Sequence, residues 1–243
     1  MSEETKVEAA TEATASTDSK TKEAAPKKGK KKWPIVVGIV VVVLIAAGAG
    51  FWVWHEQPSF CNAICHTPMD PYNQTYDQAD NTTGVDKWGN EVSNTHSMLA
   101  VTHKASVEDG GAGATCMSCH VPQLSEQISE GMNWVTGNYV NPLEERSLED
   151  LVEARGIPAD EFCLNAACHS NGDGGAMTRD DLIALTADME RNPHVAQHGA
   201  NECSDCHKAH RASVNECSQC HNDAEIPEGW ISVADEKKLN MPA

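Results

Sequence analysis

Residues 203–221 read CSDCHKAHRASVNECSQCH, two Cys-x-x-Cys-His units with nine residues between them. This is the attachment signature of covalently bound haem c. Two cysteines bond the vinyl carbons along one porphyrin edge, and the His that follows brings an imidazole to the iron beneath the ring. Working outward, the same ending recurs three more times, so that five motifs use all ten cysteines of the chain. Cys61 and Cys65 precede His66, Cys116 and Cys119 precede His120, and Cys163 and Cys168 precede His169. Cys203 and Cys206 precede His207, and Cys217 and Cys220 precede His221. Paired cysteines also build zinc knuckles and disulfide frameworks, but neither requires a His directly after the second Cys. Two motifs are stretched, with three residues between Cys61 and Cys65 and four between Cys163 and Cys168. That predicts a bulge of the chain between the thioethers. The expected cofactor set is five covalently bound haems c.

Each motif His fills one axial position of an iron. Six histidines remain, and all but His55 are candidates for the opposite position: His96, His103, His194, His198 and His210. They would serve four of the five irons. His55, at the exit of an apolar segment, is set aside. Two imidazoles saturate an iron, which suits electron transfer and leaves no place for substrate. Met69, three residues after His66, has two readings: a thioether ligand of the first haem, which would raise its potential, or a packing residue. Met177 is read as packing.

Ile35 to Val53 is nineteen residues without a charge, bracketed by Trp33, Trp52 and Trp54. That length spans a bilayer, and the tryptophans suit its interfaces. A cleaved signal peptide is the competing reading, but the run is longer than a usual signal core and follows a long polar leader. Lys27, Lys28, Lys30, Lys31 and Lys32 precede the span, and the first Lys after it is Lys87. The positive-inside rule then places the N-terminus in the cytoplasm and the cysteines on the extracytoplasmic side of the cell membrane. The expected organisation is a disordered tail over residues 1–32, an anchor over 33–54 and a haem domain over 55–243. The last carries ten Lys or Arg against thirty Asp or Glu, a formal balance of −20. Such a surface disfavours nucleic acid; it either steers a basic partner or only keeps the domain soluble.

The haem domain has too few large apolar residues for an ordinary core, so the porphyrins must supply much of its buried surface. The fold class expected is mainly α with extensive loops, a single N-terminal transmembrane helix followed by a compact multihaem cytochrome c domain. One short helix should start at Ser147, where Ser-Leu-Glu-Asp resembles a capping box, and stop at Gly156. Another should start near Thr178 and carry Leu182, Ile183 and Leu185. Residues 81–90, 109–113 and 171–175 read as loops, and no strand is expected.

The anchor, the first motif beside Met69, the string Ala-Thr-Cys116-Met-Ser-Cys119-His120-Val-Pro122 and the string Cys206-His207-Lys208-Ala209-His210 resemble the NapC/NirT/NrfH family of membrane-anchored multihaem quinol dehydrogenases. The likeness covers about residues 30–221. It implies that electrons enter from menaquinol or ubiquinol at the outer membrane surface and pass from haem to haem to a separate reductase. The chain differs from that family in its fifth motif, its stretched first and third motifs, and a segment from Val121 to Glu145 without Lys or Arg. Glu126 and Glu130, one helical turn apart there, either accept quinol protons or form a solvated face.

The function expected is that of a pentahaem c-type cytochrome that takes electrons from menaquinol and relays them to an extracytoplasmic reductase. A flavoprotein similar to fumarate reductase is the first choice of partner. A multihaem nitrite reductase or a molybdoenzyme is the alternative, and homo-oligomerisation stays open. The chain has no dinucleotide-binding glycine motif, so the terminal reduction belongs to the partner. A passive haem wire, and an enzyme acting at an open first haem, are the rival readings.

Overall fold

The structure, a computed structural model, describes residues 32–105, 113–120, 123–141 and 145–242. The leader expected to be disordered lies outside the described residues except for Lys32, as does most of the loop expected over 109–113. Two units divide at Ala46 and Ala47. The last turns of the first helix therefore belong with the unit that carries the cysteines.

Helix α1, Trp33–His55, is one uninterrupted helix of 23 residues, long and apolar enough to cross a membrane. At 1.5 Å per residue it measures about 34 Å, against about 30 Å of hydrocarbon. After a short turn the chain enters α2, Pro58–Tyr76. Pro58 sits at its start, where a missing N–H costs nothing. Pro68 lies inside, unable to donate to the carbonyl four residues back, and Cys65 leaves helical geometry at φ −114°, ψ 37°. The helix kinks there.

The 81–90 region, expected as loop with no strand, contains a small antiparallel hairpin of β1 (Gly84–Val85) and β2 (Glu91–Val92). Its turn is closed by the buried Asp86 carboxylate, which accepts from Trp88 N–H, Asn90 N–H and Asn90 Nδ2, each at 2.8 Å. Gly89 takes φ +83° in that turn, a conformation that favours glycine. Strands this short carry no hydrophobic alternation to read.

Helix α3, Leu99–Ala105, follows. Met98 and Val101, with Val92 and Ala212, form the small buried apolar cluster of the unit, and Ile231 packs against it. Backbone bonds stitch this region to the far end of the chain: Leu99 N–H to Lys208 O at 2.9 Å, Ala100 N–H to Ala209 O at 3.0 Å, and Ser213 N–H to Ser97 O at 3.2 Å. Lys87 N–H bonds to His210 O at 3.0 Å. His96, His103, His207 and His210 therefore hang from one backbone frame.

The remaining helices are short: α4 (Cys116–Cys119), α5 (Leu124–Thr136), α6 (Leu148–Val152), α7 (Ala159–Cys163), α8 (Arg179–Leu185), α9 (Cys203–Cys206) and α10 (Val233–Glu236). Helix α6 starts at the expected capping box, Ser147 Oγ accepting from Asp150 N–H, and Gly156 ends the following turn at φ +64°. Thr178 caps α8 in the same way. Strands β3 (Val214–Asn215) and β4 (Ile231–Ser232) pair in parallel and bring the C-terminal segment onto the frame. The architecture is mostly helical with loops, as expected. Helix α5 has no counterpart as a full element in the sequence reading; its Leu124, Ile128, Met132 and Val135 form an exposed stripe.

Candidate functional site

The three regular Cys-x-x-Cys-His motifs are built on single helical turns. In each, the N–H of the motif His bonds to the carbonyl of the first Cys: His120 to Cys116 at 2.8 Å, His207 to Cys203 at 2.9 Å and His221 to Cys217 at 2.9 Å. In α4 and α9 both cysteines lie within the helical turn. The fifth motif departs from that pattern. Its 3-10 turn, Glu216–Gln219, ends one residue short of Cys220, which caps the turn at φ −117°, ψ −27°. Cys220 N–H bonds to Cys217 O at 3.3 Å, and its side chain is exposed. Cys119 and Cys168, also second cysteines of their motifs, are exposed as well, while the other seven are partly buried. The fifth motif therefore has a looser turn behind its second cysteine than the second and fourth motifs have.

Of the two expected bulges, only that of the third motif is found: in the first, three intervening residues set the cysteines a turn of helix apart with no bulge between them. Cys61 and Cys65 lie on α2 one turn apart, on one face, and the kink at Cys65 carries the chain into His66, whose side chain lies outside the described residues. The third motif joins a helix end to a new turn: α7 stops at Cys163, and the Asn165 side chain accepts from Ala167 N–H at 3.0 Å and Cys168 N–H at 3.2 Å. His169 N–H then bonds to Asn165 O at 2.9 Å.

All ten cysteines are free of disulfides. Among the described residues no three His, Cys, Asp or Glu side chains converge as a closed zinc site requires. Asp160 ties the third motif to the fourth: it accepts two bonds from Arg179, at 2.7 and 2.9 Å, and lies 3.5 Å from Cys203 Sγ.

The histidines pair across the domain. His120 lies against His210 with ring centres 6.5 Å apart and planes at 24°, His198 against His221 at 6.3 Å and 30°, and His103 against His169 at 6.1 Å and 85°. Each couple joins a motif imidazole to one of the five non-motif candidates. His194 has no ring contact of this kind with a motif His among the described residues, but its charge reaches His207. Burial, and then the His120 and Lys87 charges, push His210 down to about 3. Burial also holds His120, His169 and His207 below the usual imidazole range. Neutral imidazole is the form that ligates a metal.

Side chains and carbonyls that sequence reasoning missed hold the Nδ1 edges of these rings. Thr75 Oγ1 donates to Tyr72 O at 2.8 Å, so it accepts from His210 Nδ1–H, also at 2.8 Å. Thr186 Oγ1 donates to Leu182 O at 2.7 Å and accepts from His194 Nδ1–H at 3.0 Å. His103 Nδ1–H donates to Leu99 O at 2.8 Å, and His96 Nδ1–H to the Asp80 carboxylate at 3.0 Å. In His55 both nitrogens are engaged, Nδ1 with Glu56 at 3.3 Å and Nε2 with Gln127 at 3.2 Å. No sequence signal marks Thr75, which lies 135 residues from His210. Met69 is partly buried on α2, which leaves both of its readings in place.

A family model described as cytochrome c3 matches residues 149–222, which hold the third, fourth and fifth motifs. Over 218 residues the chain is 67% identical to the cytochrome c-type protein Cgr1 of Eggerthella lenta, covering 90% of this chain and 95% of the relative. The chain belongs to the multihaem c-type cytochromes. No solved structure matches it. The cytochrome carries covalently bound haem c and transfers electrons.

The residues present fit that group. Cys pairs and imidazole couples supply the attachment and ligand atoms, while the buried apolar side chains among the described residues are few: Val92, Met98, Val101, Val152, Ala212, Val214 and Val233. A domain of this kind is completed by a flat apolar group. The first motif of the cytochrome follows directly on α1. Phe60, the residue before Cys61, packs against Trp54 at 5.0 Å, His55 at 4.8 Å and Phe51 at 5.7 Å between ring centres. Glu130 on α5 is exposed, yet partial desolvation by the surrounding protein and the like charge of Glu126 raise its carboxyl above the ordinary value. Its charge reaches Cys61 and Cys65. Glu126 instead closes its own helix, accepting from Gln123 N–H at 2.7 Å. Basic groups come from beyond the uncharged-to-acidic segment: Arg155 Nη2 donates to Cys119 O at 2.9 Å, and the Arg146 charge reaches Glu130 and His120.

Proposed function

We propose that the chain is a single-pass, membrane-anchored pentahaem cytochrome that takes electrons from menaquinol and passes them to an extracytoplasmic reductase, a flavoprotein similar to fumarate reductase. The observation that carries this is the aromatic lock of Phe51, Trp54 and His55 around Phe60, which holds the first cysteine pair against the end of the apolar helix. A quinol confined to lipid meets the first motif there. Haem c, when bound, supplies a one-electron carrier. Oxidation of a quinol releases two electrons and two protons; the Glu130 carboxylate, with its raised proton affinity, accepts one proton and the other passes to water. The lysines before α1 hold the N-terminus in the cytoplasm, so the acidic domain faces the partner outside. No dinucleotide-binding glycine motif is present, so reduction of the final acceptor falls to that partner.

The test is the α-band absorbance of the detergent-purified protein after addition of a menaquinol analogue, as a fraction of that reached with dithionite. Substantial reduction by quinol supports the reading. Haem reduced by dithionite alone makes the protein a wire fed by another donor.

A further inference from the structure

The couples described above go further than a count of ligands. An imidazole nitrogen sits about 2 Å from a metal it ligates, so two rings on opposite sides of one metal place their centres about 6 Å apart. The three observed separations, 6.1, 6.3 and 6.5 Å, match that spacing. In each couple the partners lie at least 23 residues apart in the chain, so local chain geometry does not force the match. The Nδ1 edges of His210 and His103 are held by Thr75 and by the Leu99 carbonyl, the arrangement that fixes a ligating His as the tautomer presenting Nε2.

We propose that three irons are ligated by the couples His120–His210, His169–His103 and His221–His198, the rings being near parallel in the first and third and perpendicular in the second. This rests on the reading of the motifs as haem c sites. Thr75 acts here as a positioning residue: fully buried, it orients His210 without touching the iron. His210 is fixed from a second side by the bond from Lys87 N–H to its carbonyl, so ring and backbone are held independently. The assignment leaves His96 and His194 for the first and fourth irons.

Ring-plane angles have a spectroscopic readout. Near-parallel imidazoles split the iron orbitals that hold the unpaired electron and give ordinary rhombic low-spin EPR signals. Perpendicular imidazoles leave those orbitals nearly degenerate and give a strongly anisotropic signal at low field. The experiment is low-temperature EPR of the oxidised full-length protein, with haem c content measured by pyridine haemochrome and intact mass. We expect the low-field signal in the unmodified protein, its loss in His103→Met, and in His210→Met the loss of one rhombic signal with the low-field one retained. Absence of the low-field signal from the unmodified protein, or its survival in His103→Met at full haem content, overturns the assignment. Should a histidine variant lose haem, Thr75→Val decides, since it keeps every ligand. A shifted rhombic signal restored by Thr75→Ser is expected, and an unshifted spectrum overturns the His120–His210 couple. A chain without haem c overturns the underlying reading itself, and the haemochrome distinguishes that result from a wrong pairing.

Discussion

Arg211 forks onto Glu145, with Nε 2.9 Å from both carboxylate oxygens, one residue beyond His210. Its Nη2 also donates to Glu236 at 2.6 Å, and only 2% of the Arg211 side chain is exposed. Removing the guanidinium takes this donor from Glu236 and leaves Glu145 to Lys87, 3.6 Å away, beside the frame that carries His210. Arg211→Ala should therefore lower stability by about 3 kcal/mol or more, measured by denaturant unfolding of the haem-loaded protein. Arg211→Lys should recover only part of this, because one ammonium cannot serve both acids in a fork.

The same cluster sets an acid limit. Burial pushes the Glu145 carboxyl up, and the Arg211 hydrogen bonds with the Arg211 and Lys87 charges overcome it, leaving the carboxyl below its usual range. A group with a depressed folded value contributes its full stability above the unfolded value, about 4.3 for Glu, and loses it as pH falls through the folded value. Unfolding midpoints of the wild type should drop as pH falls below about 4.3. Glu145→Gln should be less stable at neutral pH and show a shallower drop.

Gly229 takes φ +80°, and a Cβ there would meet the Asn94 carbonyl oxygen at 2.7 Å. The backbone conformation alone costs an Ala residue about 1–2 kcal/mol, and the contact adds to it. Gly229→Ala should lower the thermal midpoint and loosen the turn from Asn94 into His96. An unchanged midpoint would count against the close approach of these two segments.

Glu130 and Glu126 should separate in kinetics. If Glu130 accepts a quinol proton, Glu130→Gln should slow haem reduction by a menaquinol analogue by about 100-fold or more, with dithionite reduction unaffected. Glu126→Gln keeps a side-chain oxygen that accepts from Gln123 N–H, so it should change stability little and slow the reaction far less than Glu130→Gln does. Equal slowing by both variants would point to damage of the helix instead.

His66→Ala should impair quinol-driven reduction more than dithionite reduction of the remaining haems. Equal loss of both would mean that the domain had misfolded.

The chemistry of the chain was legible wherever it is written locally. A Cys pair closed by His is a unit of about one turn, and Ser147 and Thr178 announce their helices because a cap and its partner lie three residues apart. Cys220 marks the edge of that legibility, because nothing in its spacing separates it from Cys119 and Cys206, which stay inside their turns. Of the stretched motifs only the third is the bulge its spacing announced; the first is a turn of helix, and the kink at Cys65 follows from Pro68 acting on a helix with no apolar periodicity to betray it. The hairpin at Gly84–Val92 escaped because its strands are two residues long and its stability comes from Asp86. The partners of the histidines were illegible altogether. His210 meets His120 and Thr75 across 90 and 135 residues of chain, a tertiary fact with no local trace.

The small apolar cluster around Met98 and Val101 bears on how the protein comes to exist. A newly made polypeptide has little to collapse around until its thiols have reacted, so attachment of the cofactor and folding are coupled. The order of loading then becomes the order of assembly, and a missed motif would leave a locally unstructured stretch. Quality control of such a chain reduces to a chemical question: whether each pair of sulfurs has been used.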